Sequence, residues 1–130
     1  ALGRLLKPGG HLVVSGLGVE GFDIQILWGK SKSVAPPYHL NFLSVLGFEI
    51  LFKRLGLQNV QVDTPGQLDV DIVANALEED PSTNSDRFVR LLLRRRGREL
   101  VNFQKFLVEN RLSSHCRIFA QKTGDDLTGG

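Results

Sequence analysis

Apolar residues fall in short blocks whose spacing alternates between helical and extended, with glycine and proline at the joints. Residues 2–6 (LGRLL) favour helix and stop at Lys7-Pro8-Gly9-Gly10, where proline cannot continue a helix and glycine permits positive φ. Residues 11–15 (HLVVS) then form an apolar run suited to a strand buried on both faces. Gly16, Gly18 and Gly21 open a glycine-rich loop, within which Phe22, Ile24, Ile26, Leu27 and Trp28 suit a short helical turn. Ser44 is placed to cap a helix over 44–55, ended by Gly56. Leu46, Phe48, Ile50, Leu51, Phe52 and Leu55 make that helix apolar nearly all round, so it is expected to be covered on more than one side.

Val60 and Val62 alternate in a second strand over 59–64, followed by the turn Thr64-Pro65-Gly66. Helical spacing returns over 68–79, and again over 87–96 and 99–110 beyond the linker 80–84. Cys116, Ile118 and Ala120 share one face of a third strand over 115–122, and 124–130 is a polar tail. Three strands with about four helices make an α/β piece. Its first strand, apolar and uncharged, makes a poor sheet edge because it invites pairing.

Composition narrows this reading without changing it. The 130 residues are 42% hydrophobic and 23% charged, as in an ordinary globular domain. No apolar run reaches membrane-spanning length, and the single cysteine, Cys116, excludes an internal disulfide. A net charge of +2 does not by itself argue for nucleic acid. A cytoplasmic location is expected. Ala1 has no capping residue before its helix and the chain has no methionine, so a piece of a longer chain is expected.

The order of helix, KPGG turn, apolar strand, PP-x-HLNF-x-S loop (residues 36–44), helix, strand, TPGQLDVDI (64–72), helices and final strand resembles a known family. It is similar to the C-terminal half of a class I S-adenosylmethionine-dependent methyltransferase, in the group acting on small molecules and sugar-like substrates. The resemblance runs from about residue 1 to residue 122. It implies a partial Rossmann-like methyltransferase sheet, with the last strand antiparallel and central, in a domain over 1–123. It also implies S-adenosylmethionine as cofactor of the parent protein. The family's cofactor elements, a glycine-rich turn after the first strand and an acid ending the second, find no match here. Gly16-Leu17-Gly18 lacks the spacing and the following helix, so no cofactor-binding residue is assigned and tight binding by this chain is not expected.

In that setting the loop after the first strand carries the candidate chemistry. Methyl transfer depends on positioning, and an oxygen or carbon acceptor also needs a base within hydrogen-bond reach. His39 is the candidate catalytic base, and Tyr38, Asn41 and Phe42 are the candidate substrate-binding residues. Each has a structural alternative: His39 as a helix cap or carbonyl partner, Asn41 as a turn former, Tyr38 and Phe42 as core residues. Asp69 and Asp71 read as first-turn acids favoured by the helix dipole rather than metal ligands. His11 and His115 are expected to serve the fold, and Cys116 the core.

Arg87, Arg90 and Arg94 form a helical stripe, continued by Arg95, Arg96 and Arg98. With no stacking aromatic expected among them, a solvated face is preferred over an anion or nucleic-acid site. The expected function is the substrate-side half of a methyltransferase, inactive alone. Its partners would be a small-molecule substrate in the parent protein and the missing N-terminal half, with no membrane partner and nucleic acid disfavoured. The alternative is a non-catalytic interaction module completed by edge-strand pairing or self-association.

Overall fold

A computed structural model describes residues 2–37, 39, 41–83 and 86–124. In chain order the elements are α1 (Leu2–Leu5), β1 (His11–Leu17), α2 (Phe22–Leu27), α3 (Val45–Arg54), β2 (Leu57–Asp63), α4 (Asp69–Glu79), α5 (Arg87–Arg94), α6 (Arg98–Glu109) and β3 (His115–Lys122), with a 3-10 turn at Trp28–Lys30. Six α-helices thus stand among the described residues, against about four expected. The excess comes from the short α1 and α2, which are one or two turns long.

The three strands form one sheet in the order β1-β3-β2. β3 pairs antiparallel with β1 from His11↔Gln121 to Leu17↔His115, and antiparallel with β2 through Val62↔Ile118. β1 and β2 therefore run parallel to each other on either side of a central, reversed last strand. The β2 register shifts between Gln58 and Gln61, where Asn59 takes a positive φ of 52° and its side-chain amide donates to Gln121 Oε1 at 2.9 Å.

One face of the sheet is covered. Phe52, Leu57, Val62, Cys116, Ile118 and Ala120 form its buried core, with Leu12, Val14, Val45, Phe48 and Val60 packed around it. The other face is open, leaving Val13 55% and Phe119 36% exposed. Residues 11–15 are therefore a strand, as expected, but one buried on a single face. Polar His11 and Ser15 share the exposed face with Val13, and that one valine hides an alternation which the flanking polar residues follow. α3 likewise buries only Phe52 fully and leaves Leu46, Ile50, Leu51 and Leu55 exposed, so the expected covering on several sides is not met within the described residues. Its cap is as expected, with Ser44 Oγ accepting from the Gly47 N–H at 3.0 Å.

Helices α2, α4 and α5 gather around a second core of Leu27, Val73 and Val89, flanked by Phe22, Ile72, Ala76 and Leu93. Phe22 also meets Phe103 of α6 edge-on, with ring centroids 5.1 Å apart. No helix among the described residues is long and apolar enough to cross a membrane.

Candidate functional site

β1 and β2 end at the same side of the sheet, and antiparallel β3 begins there. Open α/β sheets bind ligands at such carboxyl ends. Three segments converge on this end, namely 18–23 after β1, 64–69 after β2 and 112–115 before β3. At Gly21 and Gly66 the first two approach the third too closely for any side chain beyond hydrogen. A Cβ on Gly21 would lie 2.2 Å from Ser114 Cα, and one on Gly66 would lie 1.9 Å from Ser113 Oγ. Backbone bonds reinforce the contact, with Gly18 N–H donating to Ser114 O at 2.7 Å and Phe22 N–H to Leu112 O at 2.8 Å.

Asp69, the first residue of α4, is the polar hub of this junction and is 2% exposed. Its carboxylate accepts from the Ser113 hydroxyl at 2.6 Å, the Ser114 backbone N–H at 2.7 Å and the Gln104 amide at 2.8 Å. Gln104 completes the tie by donating also to Gly66 O at 3.0 Å and accepting from Val70 N–H at 3.0 Å. Burial alone would raise the pKa of Asp69, but these donors outweigh it and hold the carboxyl below its ordinary range.

Asp23, beside it on α2, is fully buried, and neither of its oxygens makes a hydrogen bond. Burial raises its pKa; Ser114 opposes this in part, and the Asp69 charge adds to the rise. One carboxyl is thus held ionised and its neighbour driven towards the neutral acid. Both lie beneath the surface, so the pair acts on the loops rather than on a substrate.

This pair is the main feature that sequence reasoning missed. Asp69 and Asp71 are both in the first turn of α4, as expected, but Asp69 is buried while Asp71 is exposed. A signal was available for Asp23, which lies four residues before Leu27 and adjacent to Ile24, on the helix side that is buried. The close approach of Ser113 and Ser114 depends on tertiary pairing and leaves no local mark.

Of the expected site residues, His39, Asn41 and Phe42 are among the described residues. Residues 41–44 reach the end of β1, where Val19 N–H donates to Leu43 O at 3.0 Å and Gly18 forms a parallel bridge with Leu43. Glu20 Oε2 accepts from Val45 N–H at 2.9 Å, adding a second acceptor to the start of α3. The α3 cap is therefore Ser44, which leaves that task free of His39. His39 is exposed, its backbone N–H donating to Ala35 O at 3.2 Å and its ring 6.2 Å from that of Phe42. Phe42 is half-buried and Asn41 exposed, while Tyr38 lies outside the described residues.

Cys116 is buried in the sheet core, and burial, with the Glu20 and Asp69 charges, pushes its thiol up to about 11. His11 and His115 sit at the starts of β1 and β3. The arginine stripe is exposed at Arg87, Arg94, Arg95, Arg96 and Arg98. An aromatic does stand among these residues, contrary to expectation, because Phe88 is 69% exposed between Arg87 and Arg90.

The Gly16-Leu17-Gly18 segment is strand and strand end rather than an open loop. Gly16 and Leu17 belong to the strand, and the next two backbone amides are engaged by Ser114 and Leu43. No amides remain at Gly18 or Val19 to cradle a ribose or an amino-acid group.

No family model matches the chain, and no curated protein matches it by sequence. One solved structure similar in shape is Haemonchus contortus phosphoethanolamine N-methyltransferase 2, in complex with phosphomonomethylethanolamine and S-adenosylhomocysteine. It is 15% identical with a TM-score of 0.40, and the match covers 95% of this chain and 29% of that one. A likeness at that level fixes neither family nor ligand.

Proposed function

We propose that this chain supplies the acceptor side of an S-adenosylmethionine-dependent methyltransferase, with the cofactor held by a polypeptide that pairs with β1. The observation that carries the reading is the strand arrangement: a reversed last strand lies between two parallel ones, in the order implied by the KPGG, HLNF and TPGQLDV segments. The outer edge of β1 supports it further. Among the described residues no strand pairs with 11–17 on that side, and the segment contains no Lys, Arg, Asp or Glu to deter pairing.

In this reading His39, as the neutral imidazole, takes the proton from the acceptor group, Asn41 holds a polar substituent, and Tyr38 and Phe42 wall the substrate. Calorimetric titration of the 130-residue chain with S-adenosylmethionine tests the division of labour. No micromolar binding is expected, and clear micromolar binding overturns it. In the protein completed by its cofactor half, His39→Gln should lower turnover about 100-fold while leaving cofactor affinity unchanged.

The same open edge favours a second reading, a module completed by another copy through β1. Mass that rises with concentration in sedimentation, and falls back for Val13→Lys, supports it; a monomer at every concentration removes it.

A further inference from the structure

We propose that the outward face of α5 and the turn after it bind an anionic phospholipid surface. Six arginines stand between residues 87 and 98, with Asp86 and Glu99 as the flanking acids. α5 docks inward through Val89 and Leu93, against Leu27 and Val73. That leaves Phe88 and Leu91 outward, 69% and 52% exposed and one helical turn apart. Arg87 and Arg94 adjoin them, and with Arg90 these residues line an open hollow of about 500 Å³. Arg90 is held in place by donating from Nη2 to the Pro81 carbonyl.

Charge and apolar complementarity choose the occupant. Docking this face on an uncharged protein surface would strip water from several guanidinium groups without pairing them, which is strongly unfavourable. A solvated face has no use for a phenylalanine and a leucine at its centre. A layer of anionic headgroups meets both demands, offering phosphates that guanidinium groups grip bidentately and hydrocarbon for Phe88 and Leu91. A single nucleic-acid strand would employ Phe88 for stacking but leave Leu91 without a role. Adsorption of this kind needs no spanning helix. The expectation of no membrane partner is set aside here.

The test is sedimentation of the protein with vesicles of phosphatidylcholine, either pure or containing about one-third phosphatidylserine. Binding is expected only to the anionic vesicles, weakening as salt rises. Removing two arginines in Arg87→Ala/Arg94→Ala should cut it about 25-fold, at about fivefold per arginine. Phe88→Ser/Leu91→Ser should cut it at least about tenfold with every arginine retained. Should either double variant lose its fold by circular dichroism, Arg95→Ala/Arg96→Ala, outside the helix, carries the same expectation as the first. Equal partition to both vesicle types overturns the proposal, as does undiminished binding by the Phe88→Ser/Leu91→Ser protein. A single-stranded RNA that binds more tightly than the vesicles, with Leu91→Ser silent, gives the face to nucleic acid and overturns it too.

Discussion

Replacing Asp69 by asparagine keeps the shape of the hub and removes its charge. The remaining oxygen can still accept from the Ser114 N–H, now at 2.7 Å. The new amide group then faces Gln104, whose own amide donates at 2.8 Å in the wild type. Gln104 cannot turn over to accommodate it, because its oxygen accepts from Val70 N–H at 3.0 Å. Two charge-assisted bonds are lost or reversed, each worth about 1.5–3 kcal/mol, so the expected cost at neutral pH is about 4 kcal/mol. That is a large share of a typical domain's stability and corresponds to a fall in Tm of about 15 °C. The pH dependence follows from the lowered pKa of Asp69. Its contribution is present above the unfolded value of 3.8 and is lost as pH falls through the folded one. Urea unfolding followed by circular dichroism, at neutral pH and near pH 3, measures both quantities. A loss under about 1 kcal/mol at neutral pH, or a loss equal at both, would refute the assignment of Asp69 as an ionised hub.

Two further substitutions probe the same junction. Asp23→Asn should stabilise the protein at neutral pH, because a raised folded pKa means stability is full below 3.8 and declines as pH rises through the folded value. The gain should vanish near pH 3, and urea midpoints that do not separate with pH would count against a buried, unpaired acid. Gly21→Ala and Gly66→Ala should each cost about 3 kcal/mol, since the added methyl meets Ser114 backbone or the Ser113 hydroxyl that Asp69 holds in place. The φ of Gly21 is −61°, which alanine accepts, so a small loss at that position would mean the segments are not in contact.

Local chemistry made most of the fold legible. The KPGG stop, the Ser44 cap and the alternation of Cys116, Ile118 and Ala120 each act over a few residues, and the corresponding boundaries agree with the structure to within a few positions. The strand order was legible only through resemblance, because which strands become neighbours is not written in any one of them. Exposure was the least accessible property. Val13 and Leu46 have the same apolar character as Val14 and Phe52, and only the docking of α3 on one face separates them. The candidate site divides in the same way. His39 and Asn41 could be chosen by residue type and loop position, whereas the Asp23–Asp69 pair exists only because three distant segments meet.

That meeting explains why a sheet whose β1 edge pairs with no strand among the described residues can still present an ordered carboxyl end. The loops after β1 and β2 are tied to the start of β3 by Asp69, Gln104 and the amides of Gly18 and Phe22, all within this chain. None of those bonds uses the outer edge of β1. The Asp69 tie also joins the two hydrophobic cores, since α4 carries Val73 into one while Ser113 and Ser114 lead into the strand that builds the other. A neighbour added along β1 would therefore extend the sheet without having to assemble the 18–23 and 64–69 loops. Whatever docks there meets a surface already set by the buried pair. A change in Asp69 should disorder the site loops even when the β1 edge is fully paired.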